Sequence, residues 1–332
     1  MSITGCLIRT TCGRCIPGRS RPIIRLCTGS ENNTSGKQIS NLEAVSELTP
    51  TITQKAVGFI RKHKHKPFFL YVPHPLPHVP LAASKRFKGK SEKGIFGDVL
   101  MELDWSVGQI LKELKSQGLD ENTLVIFTSD NGPWLNYGDH AGSAGGFREG
   151  KGTSFEGGQR EPTIMRWPGV IPAGRISNKL LSTIDILPTL VKLTGARLPA
   201  EKIDGIEFVD LLKGNDVQTP RHEFLYYYRK NSLEAVRKDN WKLIFAHPGR
   251  SYEVSLPGRE GQPGATSETH AFAKALYDLT RDPGERYNVL EQHPEIVAEL
   301  EKIADRARED LGDDLQQKEG KNRREAGKVT AN

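Results

Sequence analysis

Thr123-Leu-Val-Ile-Phe-Thr128 is a run of β-branched and apolar residues that stops abruptly at Ser129-Asp130-Asn131-Gly132-Pro133. Such a run reads as a buried strand, and the turn-formers behind it place Asp130 and Asn131 at its carboxyl end. Upstream, Val99, Leu103, Val107, Ile110 and Leu114 make an apolar stripe at helical spacing, with Gly118 as its stop. Phe68 to Val72, between Pro67 and Pro73, reads as a further strand. Strand, helix, strand predicts a parallel α/β sheet, whose ligands gather at the carboxyl ends of its strands. His74, His78, Asp130 and Asn131 all fall at such ends.

The remainder of the chain extends this plan. A helix is expected from about Thr51 to the basic run Lys62-His63-Lys64-His65-Lys66, a strand at Pro162 to Trp167 and a helix at Ser182 to Leu193 leading into Gly195. Phe224 to Tyr228, Ala235 to Arg237 and Trp241 to Phe245 are short and aromatic, which predicts an antiparallel sheet in a second, smaller domain. Pro294 to Arg308 reads as a last amphipathic helix. The expected domains are 1–38 unassigned and without order, 39–215 a main domain, 216–310 a small antiparallel-sheet domain and 311–332 a polar tail.

The 332 residues carry a net charge of +6, with 36% hydrophobic and 27% charged residues. Residues 1–65 hold ten Lys/Arg against three Glu, so the excess charge is N-terminal and the bulk of the chain is neutral. Aromatics are not interleaved with those arginines, which argues against nucleic acid as a partner. No apolar run approaches membrane-spanning length, so no membrane partner is expected. Arg9, Arg14, Arg19, Arg21 and Arg25 interrupt every apolar stretch of the first 30 residues, and export cannot be read there. All four cysteines (Cys6, Cys12, Cys15, Cys27) lie in that segment, with one C-x2-C and no second half of a zinc ribbon.

Three loops carry candidate chemistry. Asp130 beside Asn131 offers two hard oxygen ligands suited to Ca²⁺ or Mg²⁺, although Asp-Asn-Gly is also ordinary turn chemistry. In Gly150-Lys151-Gly152-Thr153-Ser154 the glycines let backbone approach an anion that the ammonium neutralises; the spacing is not that of a nucleotide-binding P-loop. His74 and His78 bracket Pro75-Leu76-Pro77, and a histidine held among prolines is suited to passing a proton near neutral pH.

Several motifs in order resemble the sulfatase family, particularly arylsulfatases. They are Pro67-Phe-Phe-Leu-Tyr-Val, Pro77-His78-Val79-Pro80-Leu81, Leu103-Asp-Trp-Ser-Val-Gly108, Phe127-Thr-Ser-Asp130-Asn131-Gly132 and His140-Ala-Gly-Ser-Ala-Gly. Gly150-Lys151-Gly152-Thr153-Ser154-Phe-Glu-Gly-Gly-Gln-Arg160-Glu161-Pro162, Arg166-Trp-Pro-Gly169 and Leu276-Tyr-Asp-Leu-Thr-Arg-Asp-Pro283 continue the match, which runs from about Ile39 to about Arg308. The resemblance implies an alkaline-phosphatase-like mixed sheet flanked by helices, with a small C-terminal α+β domain. It implies cleavage of sulfate esters by a formylglycine nucleophile with one divalent cation, Ca²⁺ before Mg²⁺, on a sulfated small molecule or glycan. Asp130 and Asn131 would be metal ligands, Lys151 would contact the sulfate and its bridging oxygen, and His78 would protonate the departing alcohol. His140 and Arg160 would have pocket or structural roles. Family members are usually exported or lysosomal.

The family pattern has further parts. Its adjacent aspartates have no counterpart, since no Asp precedes Asp98, and its Lys-x-His element is missing. Cys15-Ile16-Pro17-Gly18-Arg19 fits C-x-P-x-R, the site of formylglycine, but lies only about 60 residues before His78, where the family has well over 100. The expectation is therefore a sulfatase without its N-terminal third, impaired in hydrolysis when alone, aggregation-prone, with exposed apolar surface. The alternatives are a metal-dependent phosphatase or phosphodiesterase of the same fold, and a non-catalytic homologue.

Overall fold

The computed structural model describes residues 27–31, 34–215, 219–253 and 256–324. Cys15 and its C-x-P-x-R segment lie outside them, as do Cys6 and Cys12. The chain forms two compact units. One comprises residues up to Val125 with Asn136–Gly142 and Leu256–Ala265; the other comprises Ile126–Leu135, Ser143–Ser255 and Thr266 onward.

The first unit opens with an antiparallel hairpin, β1 (Cys27–Glu31) and β2 (Thr34–Ile39), inside the stretch expected to lack order. Helix α1 (Leu42–Ser46) starts where the Asn41 side chain accepts the Ala44 N–H at 2.8 Å, a cap that satisfies an otherwise orphan donor. Helices α2 (Leu48–His63) and α3 (Gly94–Ser116) pack together. Their contact is partly polar: Thr53 Oγ1 donates to Ser106 Oγ at 2.6 Å, and Arg61 makes two 2.8 Å bonds to Glu113. Val45, Leu81, Phe87, Val99 and Leu103 form the core around the α1 end of this unit.

Two expectations change here. Phe68 to Val72 is not a strand: it runs without a ladder partner among the described residues, with Phe69 53% and Tyr71 65% exposed. An apolar run becomes a strand only where a neighbour takes its backbone N–H and C=O groups. The second change concerns His74, which joins the polar contact between the helices instead of facing a ligand. Its Nε2 lies 3.3 Å from Ser106 Oγ, its Nδ1 is buried without a partner, and burial pushes its pKa down to about 4.

Because the unfolded chain takes up a proton near pH 6.5 and the folded one only near 4, the folded state loses stability as pH falls through that window. The full loss is on the order of 3 kcal/mol. Melting at pH 7 and pH 4.5 checks this: wild type falls by more than His74→Gln, and equal falls would assign the acid sensitivity to other groups.

In the second unit, β3 (Val125–Thr128) pairs with β4 (Thr163–Arg166), and the hydroxyls of Thr128 and Thr163 meet at 2.9 Å. Phe127 is 42% and Ile164 65% exposed, so this pair presents apolar surface. Short helix α4 (Glu156–Gln159) precedes β4, and α5 (Ile186–Thr194) and α6 (Val209–Leu212) follow it. Gly195 ends α5 in the left-handed region at φ 65°, as the sequence predicts.

The predicted antiparallel sheet is present with one strand more. Strands β5 (Glu223–Tyr228), β6 (Ser232–Lys238) and β7 (Trp241–Ile244) run consecutively; β8 (His247–Ser251) and β9 (Ser267–Phe272) form a separate hairpin; β10 (Ala275–Asp278) returns to β7. Helix α7 (Pro294–Leu311) covers one face of this sheet, burying Leu300, Ile303 and Ala304 with Leu233, Val236 and Leu276. The other face packs Ala235, Ile244 and Tyr277 against Phe155. Part of the expected polar tail is ordered, since β11 (Gly312–Asp313) pairs with β12 (Lys318–Glu319) and the Asp313 carboxylate accepts from Arg308 Nε at 3.2 Å. Among the described residues no helix is long and apolar enough to cross a membrane.

Candidate functional site

Asp130 and Asn131 follow β3 as the sequence predicts, and the turn they open interlocks with the loop that carries Lys151. The Gly132 N–H donates to the Gly158 carbonyl at 3.1 Å, and the Lys151 N–H to the Pro133 carbonyl at 2.9 Å. The backbones approach so closely that a Cβ at Gly132 would fall 1.9 Å from the Gly157 carbonyl oxygen. Asp-Asn-Gly and Glu-Gly-Gly are thus required as a pair, each leaving room for the other.

The oxygen donors of this turn are unspent. Among the described residues neither the Asp130 carboxylate nor the Asn131 carboxamide makes a hydrogen bond, and Glu161 Oε1 is buried with no donor. Burial first, and the Asp130 charge second, push the Glu161 carboxyl up to about 7. A buried carboxyl oxygen without a partner, under the charge of a second carboxylate, is a condition a hard cation relieves, but among the described residues no group of three or more His, Cys, Asp or Glu side chains gathers to hold a metal ion.

Lys151 is half-buried rather than a flexible surface lysine. Burial pushes its pKa down, Asp130 raises it and Arg250 lowers it further. The ammonium lies 5.3 Å from the centroid of the Trp134 ring, an attractive position for a cation. The loop that presents it is clamped to the C-terminal sheet. Tyr252 donates its hydroxyl to the Lys151 carbonyl at 2.5 Å, while the Glu149 carboxylate accepts from Ser251 Oγ at 2.7 Å and from the Tyr252 N–H at 2.8 Å.

Farther along the same loop Ser154 Oγ donates to Glu234 Oε2 at 2.6 Å, and the Glu156 N–H to Glu285 Oε2 at 2.6 Å. Lys242, fully buried, closes the clamp with Nζ 3.0 Å from Glu156 Oε1 and 2.8 Å from Glu285 Oε1. The two carboxylates raise the Lys242 pKa against the effect of burial, so it stays an ammonium.

The structure brings Asp130, Asn131 and Lys151 onto one unit. His78 stands on the other, exposed, with its Nδ1 2.6 Å from the Val79 carbonyl; since a carbonyl only accepts, Nδ1 carries a proton. His140 also belongs to that first unit, its Nδ1 buried without a partner, in a spot where a Cβ at Gly261 would meet the ring at 3.1 Å. Arg160 is exposed, lies over the Phe147 ring at 4.8 Å and reaches Glu156 Oε2 at 3.9 Å. Sequence reading missed Glu149, Glu161, Trp134, Arg250 and Tyr252. Only Glu161 had a signal, its place in Arg160-Glu161-Pro162; the others matter through contacts between segments remote in the chain. A cleft of about 460 Å³, walled by Arg148, Glu149, Glu253 and Arg286, includes none of Asp130, Asn131 or Lys151.

Comparison with known proteins gives a consistent set. A family profile described as Sulfatase matches residues 25–196, and one described as C-terminal region of aryl-sulfatase matches residues 220–329. A third, N-sulphoglucosamine sulphohydrolase, C-terminal, matches residues 148–254. The N-acetylgalactosamine-6-sulfatase of Mus musculus is 39% identical over 255 residues, covering 73% of this chain and 48% of the relative. Arylsulfatase A of Bos taurus is 37% identical over 269 residues, covering 78% and 52%. The crystal structure of PsFucS1 sulfatase from Pseudoalteromonas sp. is 28% identical with a TM-score of 0.71, over 82% of this chain and 55% of that one. The chain spans about half the length of the curated relatives it matches. Its fold is the alkaline-phosphatase-like α/β fold, with small sheets in the C-terminal part.

Proposed function

Since this chain belongs to the sulfatase family, we propose that it hydrolyses sulfate esters at the loops carrying Asp130, Asn131 and Lys151. The observation that carries the reading is the exposed Asp130 carboxylate, whose charge acts both on the half-buried Lys151 ammonium and on Glu161, which has a buried oxygen with no donor. Asp130 and Asn131 hold a divalent cation, Ca²⁺ before Mg²⁺, which when bound would neutralise charge on the sulfate oxygens. Lys151 binds the sulfate and its bridging oxygen from a frame that keeps the ammonium in place before substrate arrives, so little reorganisation is needed as charge develops. For His78, which stands on the other unit, the proton-donor role rests on the resemblance of its Pro77-His78-Val79-Pro80 motif alone. The family's formylglycine has no assigned position among the described residues. The substrate is a sulfated small molecule or glycan, as the names of the relatives suggest.

Hydrolysis of nitrophenyl sulfate and nitrophenyl phosphate by the same preparation in Ca²⁺ tests the reaction class. Faster turnover of the sulfate is expected; preference for the phosphate would favour a phosphatase, and turnover of neither would favour a non-catalytic homologue. Metal binding has its own readout. Ca²⁺ at a hundred times its Kd should stabilise the chain by about 2.7 kcal/mol. That gain is expected to vanish in Asp130→Ala, and an equal shift in both proteins would place the ion elsewhere.

A further inference from the structure

Arg250, on β8, lays its guanidinium against Gly152, the residue after Lys151: a Cβ at Gly152 would fall 2.9 Å from Nη1. Arg250 Nε donates to Glu268 Oε1 at 2.8 Å, and Nη1 lies 3.5 Å from the Tyr252 hydroxyl that caps the Lys151 carbonyl. These two contacts fix the plane of the fork, while Nη2 has no hydrogen-bond partner among the described residues. Glu268 is not Arg250's alone. Arg229 reaches its Oε2 at 3.6 Å and donates to its carbonyl at 2.7 Å.

Arg229 and Arg250 therefore share one glutamate, Glu268, while Lys151 feels Arg250 as a like charge and Asp130 as its acid. Like charges held half-buried on adjoining segments repel, and an anion received between them turns that repulsion into attraction. A planar guanidinium with one edge already anchored is suited to an oxyanion, because its free N–H groups are pre-aimed.

Resting on the sulfate-ester reading above, we propose that Arg250 is a specificity residue that receives a second oxyanion, a sulfate or a carboxylate, on the substrate whose scissile sulfate Lys151 binds. The site thereby selects polyanionic sulfated sugars over singly sulfated ones. The competing account is that Arg250 only ties β8 to β9 through Glu268 and holds the Lys151 loop.

Calorimetric titration of the full chain in Ca²⁺ separates the two. The probes are glucose 6-sulfate, a glucose carrying two sulfates, and a 6-sulfated disaccharide carrying a uronate. Wild type should bind at least one doubly charged probe about tenfold tighter than glucose 6-sulfate, the scale of one charge-assisted hydrogen-bond pair. In Arg250→Gln that ratio should fall to near one, and in Arg250→Lys, which keeps the charge and loses the fork, to an intermediate value. Which probe gains identifies the second anion. Equal weakening of all three probes by Arg250→Gln, or a ratio unchanged in both variants, overturns the proposal in favour of the scaffolding account. Binding of glucose 6-sulfate by wild type with no preference overturns the Arg250 proposal alone; binding of no probe overturns the sulfate-ester reading beneath it as well. If Arg250→Gln fails to fold, the Arg250→Lys ratio decides by itself.

Discussion

Lys242→Met should destabilise the second unit by about 3–5 kcal/mol, the cost of removing one partner from a buried ionic group. Lys242 is fully buried between Glu156 and Glu285, both of them buried too, and its loss leaves Glu285 facing Glu156 without its counter-charge, with only Arg237 at 3.7 Å and Arg160 at 3.9 Å left beside Glu156. Burial already raises the Glu285 carboxyl and Lys242 opposes it; Glu156 lies below the ordinary carboxylate range because Lys242 and Arg237 outweigh its burial.

In the variant both native pKa values rise, so the folded state binds more protons than the unfolded one and stability recovers as pH falls from 7 toward 5. Chemical denaturation across that range checks it: a deficit that shrinks on acidification is expected, and one that is flat or deepens would refute the charge account. Because Glu156 sits at the end of the Lys151 loop, the same variant should also loosen the candidate site. Hydrogen exchange at residues 150–158 reads that directly.

The second large effect belongs to Lys151. Lys151→Ala should lower kcat/KM for an aryl sulfate by about 10²–10³, the cost of deleting one preorganised charge donor. Stability should change little, since the ammonium is held against Trp134 and toward Asp130 at a position where burial already disfavours its charge. The depressed pKa adds a signature. The ammonium deprotonates at lower pH than a free lysine, so the alkaline limb of the rate profile should begin earlier than an ordinary lysine allows, and Lys151→Arg should push that limb upward. Wild-type and Lys151→Ala rates that coincide across pH would remove Lys151 from the reaction.

Local pattern carried much of this protein. The stripe Val99 to Leu114 is helical and ends near Gly118; Ser182 and Gly195 bracket a helix; Phe224 to Phe245 folds as an antiparallel sheet. These features depend on periodicity and on caps, which are properties of neighbours in sequence. The motif residues Asp130, Asn131 and Lys151 were legible for the same reason, each being a short string whose backbone demands show in its glycines.

Elsewhere the sequence was ambiguous and tertiary contact decided. Phe68 to Val72 has strand composition, yet a strand is a pairing, and no ladder partner stands beside it among the described residues. His74 resembled a site residue until Ser106 and burial made it part of a helix contact. Leu276-Tyr-Asp was read only as a family motif, but as β10 it completes the sheet against β7. Lys151 alone could have been a solvated surface lysine; what makes it otherwise are Glu149, Tyr252 and Arg250, the latter two about a hundred residues away along the chain. The sequence by itself determined which segments become helices, turns and sheet and which side chains could do chemistry. Burial and long-range partners, which no local pattern encodes, decided which of those side chains are held, at what charge, and beside what.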